Sequence, residues 1–153
     1  MVTTHKISAE LYDDSFELIA LHTGLEGYAM AYQLNSTVGL RLHRCKSDIE
    51  FGDHAFPVFE WQDDLSEEYW VLYKNIEKTM EESGSIGLFS QSMSTKTVYL
   101  IEERKEVDFF LKVTSDDRSK VKAALNRINT IPKVVTAYQV EHASLKSRRN
   151  LIL

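Results

Sequence analysis

The stretch "VDFFLKVTSDDRSKVKAALNRINTIPKVVTAYQV", residues 107–140, decides the fold. It opens with two-residue alternation, the period of a strand: Val107, Phe109, Leu111 and Val113 share one face, and Asp108, Phe110, Lys112 and Thr114 the other. The period then changes. Val121, Ala124, Leu125 and Ile128 stand at i, i+3, i+4 and i+7, the apolar stripe of an amphipathic helix, while Arg118, Lys120, Lys122 and Arg127 lie mostly off it. Ser115 or Asp116 suits the N-cap, since acidic side chains favour that end of the helix dipole. Pro132 stops the helix. "VVTAYQV", residues 134–140, alternates again, with Val134, Thr136, Tyr138 and Val140 expected on a core face.

The N-terminal third repeats this pattern. "FELIALH", residues 16–22, is a nearly continuous apolar run, as expected of an inner strand covered on one face or both. In "TGLEGYAMAYQLNSTVG", residues 23–39, Thr23 and Glu26 have the spacing of a capping box. The helix places Leu25, Tyr28, Ala29 and Tyr32 on one face and Ala31, Leu34 and Val38 on another, and Gly39 ends it. "LRLHRC", residues 40–45, reads as a strand with one wet face.

Between these units lie "FPVFEW" (56–61) and "YWVLYKNI" (69–76), joined by the acidic "QDDLSEE" as a hairpin, with Pro57 confined to an edge or a strand start. "EKTMEESGSIG", residues 77–87, reads as a polar connection, and "TVYLIE", residues 97–102, as a strand pairing with 107–113. The expected fold is α+β: a largely antiparallel sheet with two helices packed on one face. Setting the extra central β-hairpin aside leaves βαββαβ, the ferredoxin-like order, with right-handed crossovers. Residues 1–153 form one such domain, and the basic-then-apolar tail, 143–153, is expected to be frayed or docked on a partner.

Composition narrows the function classes. The 153 residues are 43% hydrophobic and 27% charged, with a net charge of −5, which opposes docking on a polyanion such as nucleic acid. Cys45 is alone, so no internal disulfide or thiolate cluster can form, which fits the cytoplasm. Neither a signal peptide nor an apolar run long enough to span a bilayer is present, and no membrane role is expected.

"LIEERKEVDFFLKV", residues 100–113, places five charged residues, 102–106, between two apolar runs. The simplest reading is a solvated hairpin turn. The stretch also resembles the motif of the IPExxxVDY family, small bacterial proteins without an assigned activity. Ile101, Glu103, Val107 and Asp108 match that motif, while Glu102 stands in place of Pro and Phe109 in place of Tyr. The similarity extends through "FELIALHTGLEGYAMAYQLN", "TKTVYLIEE" and "IPKVVTAYQV", and it implies a cytoplasmic bacterial protein with no catalytic residue supplied. A second stretch, "IALHTGLEGYAMAYQLNSTVGLRLHR" (19–44), is similar to the opening strand-helix-strand of ACT domains. There a glycine between strand and helix lets an amino-acid ligand approach the backbone. That similarity implies a ligand loop at Thr23, Gly24, Glu26 and Gly27.

Other chemistry has little support. His5, His22, His43, His54 and His142 lack metal-ligand spacing, although His22 and His43 could meet across the first β-α-β unit. Basic neighbours could lower the pKa of Cys45, but an inert thiol near a strand end is the simpler reading. "SGSIG" lacks the spacing and the lysine of a phosphate loop. Tyr69, Trp70, Tyr73 and Tyr99 could form a stacking platform, yet strand aromatics are more often core. No catalytic, cofactor or metal site is expected. The expectation is a non-catalytic protein-binding or regulatory module, its partner a protein or a second copy of itself, with a small-metabolite sensor of ACT type as the alternative.

Overall fold

In the computed structural model, residues 16–82 and 93–151 are described. The chain is α+β. It runs β1 (Phe16–Thr23), α1 (Gly27–Val38), β2 (His43–Arg44), β3 (Ile49–Phe51), β4 (His54–Phe56), β5 (Val58–Asp63), β6 (Glu68–Lys74), β7 (Ile76–Glu82), β8 (Met93–Tyr99), β9 (Phe109–Thr114), α2 (Arg118–Ile128) and β10 (Val134–Val140). Six strands form the main sheet in the order β10-β1-β9-β6-β5-β2, and every neighbouring pair is antiparallel. β3–β4 and β7–β8 are separate two-stranded ribbons.

Both faces of the central strands are buried. One cluster joins Met30, Ala31 and Leu34 of α1 and Val121, Ala124 and Ile128 of α2 to Ile19, Leu72, Phe109 and Leu111. The alternate residues Leu18, Ala20, Val71, Tyr73 and Phe110 enter a second cluster with Phe56, Leu100, Ile101, Val107, Leu145 and Leu151. Strands buried on both faces read as continuous apolar runs, which accounts for "FELIALH" and "DFFLKV". Trp70 and Tyr73 are core residues, so no stacking platform forms.

Several expectations are corrected. β8 pairs with β7 and not with β9, so the charged run is no hairpin turn: residues 100–108 link two sheets, with a single 3-10 turn at Glu102–Arg104. The run 69–76 is two strands in different sheets, broken at Asn75, and residues 77–82 belong to β7. The rest of the polar connection, including "SGSIG", lies outside the described residues, as do His5, Ile152 and Leu153. The strand expected over 40–45 shrinks to His43–Arg44, because the Asn35 side chain takes both the N–H and the carbonyl of Leu42.

Helix faces shift as well. Gly27, Met30, Ala31 and Leu34 are buried on α1, while Tyr28 and Tyr32 are exposed. On α2 the buried stripe is Val121, Ala124 and Ile128, with Leu125 only partly buried at its flank. Asp117, not Ser115 or Asp116, caps α2, accepting from Ser119 N–H at 2.9 Å. Gly39 caps α1 in the left-handed region, at φ 83°. In β10 the register with β1 slips at Thr23, where Val134 pairs and Val135 is left over. Val134 and Ala137 therefore share the helix-side core, and Tyr138 and Val140 the other.

The described part of the tail, 143–151, packs on the core of its own chain. Leu145 and Leu151 are buried in the second cluster. The buried Lys112 donates to the Leu151 carbonyl at 3.0 Å, and Asn150 Nδ2 donates to the Leu100 carbonyl at 2.7 Å.

Candidate functional site

The two segments with separate sequence signals meet in one cleft of about 390 Å³. Thr23, Gly24 and Glu26 line it from the β1–α1 connection, and Asp108 and Phe109 from the start of β9. Where β1 leaves the sheet, Asp108 takes over from the backbone ladder: its N–H donates to the Leu21 carbonyl at 3.0 Å, and its Oδ2 accepts from Thr23 N–H at 2.9 Å.

Thr23 does not form the expected capping box. Its hydroxyl donates to the Lys133 carbonyl at 2.8 Å and accepts from Leu25 N–H at 3.2 Å, and Glu26 at the N-cap makes no side-chain cap bond. Gly24 is open to solvent: a Cβ there would meet nothing within 4 Å. Gly27, the fourth residue of the expected loop, lies outside the lining. It is a packing glycine, since a Cβ would come within 3.1 Å of the Phe59 ring.

The third wall, residues 74–78, carried no functional signal in the sequence. Lys74 lies 3.7 Å from Glu26 and 3.4 Å from Glu77, with Ile76 and Lys78 beside it. Among the described residues nothing bonds Asp108 Oδ1 or the Lys78 ammonium. The cleft thus offers a free acceptor and a free donor of opposite charge beside the apolar Leu25 and Phe109. Among the described residues its lining has no Ser, Cys or His, and the Thr23 hydroxyl is committed to Lys133.

Asn75 holds this wall against the motif. Fully buried, it uses every hydrogen-bonding group. Its N–H donates to the Asp108 carbonyl and its carbonyl accepts from Leu100 N–H, both at 2.9 Å. Its Oδ1 accepts from Ile101 N–H at 2.7 Å, and its Nδ2 donates to the carbonyls of Arg104 and Val107, each at 2.9 Å. The charged run is therefore a loop wrapped around a buried amide. Ile101 and Val107 are its buried ends, and the charges face water. Glu103 accepts from Ser147 N–H at 2.7 Å. Burial pushes the Glu103 carboxyl up, but the hydrogen bonds from Ser147 and nearby N–H groups outweigh that and hold it below the usual range. The clue in the sequence was an asparagine, a poor strand residue, inside an otherwise apolar and aromatic run.

Compared with known proteins, the chain matches no family model, no curated protein and no solved structure.

The remaining candidates lie elsewhere. Cys45 is half-buried beside Glu60; burial, then the charge and hydrogen bond of Glu60, push its thiol up to about 11 despite Arg44. Burial and Glu60 push the Tyr69 phenol up too. His22 bonds Tyr138 at 2.9 Å and does not meet His43, which sits on edge strand β2 with three strands between them. His54 bonds Thr79, and His142 stacks on Phe16 at 3.9 Å. Among the described residues no group of three His, Cys, Asp or Glu side chains could hold a metal ion, and no helix is long and apolar enough to cross a membrane.

Proposed function

We propose that this chain is a non-catalytic regulatory module of the cytoplasm, and that the cleft between Thr23–Glu26, Lys74–Lys78 and Asp108 binds a small zwitterionic metabolite of amino-acid type. One observation carries the reading: a carboxylate oxygen on Asp108 and the ammonium on Lys78, neither bonded among the described residues, line the same small cleft. A ligand ammonium suits the first and a ligand carboxylate the second, with the exposed Gly24 leaving room for close approach. Such pairs are worth more in a partly enclosed cleft than on open surface. The strand order β10-β1-β9-β6 supports a ferredoxin-like reading of the core, with both helices taken to cover one face. This arrangement supports the likeness to ACT domains, and the loop around Asn75 offers a structural reason for a motif of the IPExxxVDY kind.

A protein partner is the second reading. Its own observation is the pair of exposed tyrosines on α1.

Thermal-shift screening with free amino acids and nucleotides tests the first reading. Ligand at about 100 times its dissociation constant stabilises a fold by about 2.7 kcal/mol, which is readily seen. An amino acid should raise the midpoint of the wild type and leave that of Asp108→Asn nearly unmoved. Equal shifts in both proteins would place the ligand elsewhere, and no shift in either would refute an amino-acid ligand.

A further inference from the structure

We propose that the outer face of α1 is where two copies of this chain meet, around a two-fold axis that sets α1 antiparallel to its counterpart. The helix, "GYAMAYQLNSTV", contains no charged residue, in a chain that is 27% charged. Surface helices ordinarily put charge on the solvent face. Here that face presents Tyr28, 74% exposed, and Tyr32, 69% exposed, one turn apart. Uncharged and tyrosine-bearing is the composition of an interface centre, not of a wet surface.

The occupant follows from charge and from what the other routes forbid. Self-pairing through α2 would oppose Arg118, Lys120, Lys122 and Arg127 to their own copies, like charge against like. Pairing through the sheet edges is also obstructed. β2 is two residues long and basic. On β10, the other edge, the Asn129 amide occupies the Ala137 backbone: Ala137 N–H donates to Asn129 Oδ1 at 2.9 Å, and Asn129 Nδ2 donates to the Ala137 carbonyl at 3.0 Å. A second chain cannot take those groups without displacing the side chain. Of these surfaces the α1 face is the one that meets itself without repulsion, and it has no charge with which to select a charged foreign partner. Two-fold packing centred on Tyr32 brings Tyr28 of each copy toward Ser36 of the other, an isologous contact. A face one helix long is at the small end for a stable interface, so the dimer is concentration-dependent.

Sedimentation equilibrium of the full chain, from low micromolar toward millimolar protein, reads this directly. The mass should rise from 17.6 kDa toward twice that value. Tyr28→Glu with Tyr32→Glu should weaken association by at least about tenfold, since carboxylates then face each other at the interface centre. Tyr32→Phe should leave it intact. Both tyrosines are exposed, so neither variant disturbs the core, and circular dichroism confirms folding. A wild type that stays monomeric throughout, including one that instead captures a different protein through α1, overturns the proposal. So does a dimer unaffected by the double glutamate variant.

Discussion

Asn75 Oδ1 accepts a hydrogen bond from Ile101 N–H at 2.7 Å, with Asn75 entirely buried. That contact, with the two that Nδ2 gives to Arg104 and Val107, turns five consecutive charged residues into a closed loop. It also joins the two walls of the cleft, because Asn75 follows Lys74 and its N–H holds the Asp108 carbonyl.

The loop should therefore fail from inside and tolerate change outside. Asn75→Ala strands the Ile101 N–H and the Val107 carbonyl, while the Arg104 carbonyl keeps the Val107 N–H; at about 1–3 kcal/mol for each unsatisfied buried group the loss should reach roughly 2–5 kcal/mol. Arg104→Ala with Lys105→Ala removes the exposed Arg104–Glu106 pair and should change stability by less than about 1 kcal/mol. Urea denaturation of both variants decides the point. Equal effects would mean the amide does not organise the loop.

On α2 the cost of truncation should follow burial. Ile128 is completely buried, so Ile128→Ala should cost about 2–5 kcal/mol through lost transfer energy and a cavity. Leu125→Ala, at the flank, should cost distinctly less, and Lys122→Ala almost nothing. A reversed order for Ile128 and Leu125 would show the helix rotated from the position described.

Cys45 should be a poor nucleophile. With its thiol pushed up to about 11 from an ordinary value near 9, the thiolate is scarce at neutral pH. Alkylation by iodoacetamide should be far slower than for a free thiol and should rise about tenfold per pH unit until it levels off near pH 11. The raised value favours the protonated fold, so this contribution to stability is complete below pH 9 and lost as pH rises through about 11. Tyr69 acts in the same direction. Replacing both Cys45 and Tyr69 should flatten the alkaline fall in stability, and an unchanged fall would remove them as its cause.

The tail should be required. Deleting residues 145–153 removes Leu145 and Leu151 from the second cluster and takes away the Leu151 carbonyl that Lys112 meets. Leaving that buried ammonium without this acceptor is costly. The truncated chain should unfold at a markedly lower urea concentration. An unshifted midpoint would mean the segment contributes nothing to the core.

Periodicity carried much of the fold. α2, β9 and the β5–β6 hairpin were legible from alternation and from the Val121–Ile128 stripe, in which Val121, Ala124 and Ile128 are buried and Leu125 only partly. What failed was partnership between segments. Nothing local says that β8 pairs with β7 and not with β9, because both choices bury the same kinds of residue. The bulge at Val135 split the expected face of β10, leaving Val134 on the helix side and Tyr138 and Val140 on the other, because one extra residue flips a two-residue period. Tyr28 and Tyr32 look like core by type, yet the buried side of α1 is set by the close approach of Gly27 to Phe59. At the site, Thr23, Gly24 and Asp108 were legible and residues 74–78 were not. Lysine and glutamate at a strand end are ordinary surface chemistry until the fold brings Asp108 beside them.

The most direct test of the cleft is a set of amide ¹H–¹⁵N correlation spectra recorded while the protein is titrated with the twenty free amino acids, one at a time. At least one should shift the amides of Thr23, Gly24, Lys78 and Asp108 together and saturably, with those around Phe16 and His142 unmoved. No saturable shift with any amino acid, or shifts confined to residues outside Thr23–Glu26, Lys74–Lys78 and Asp108–Phe109, would contradict the account.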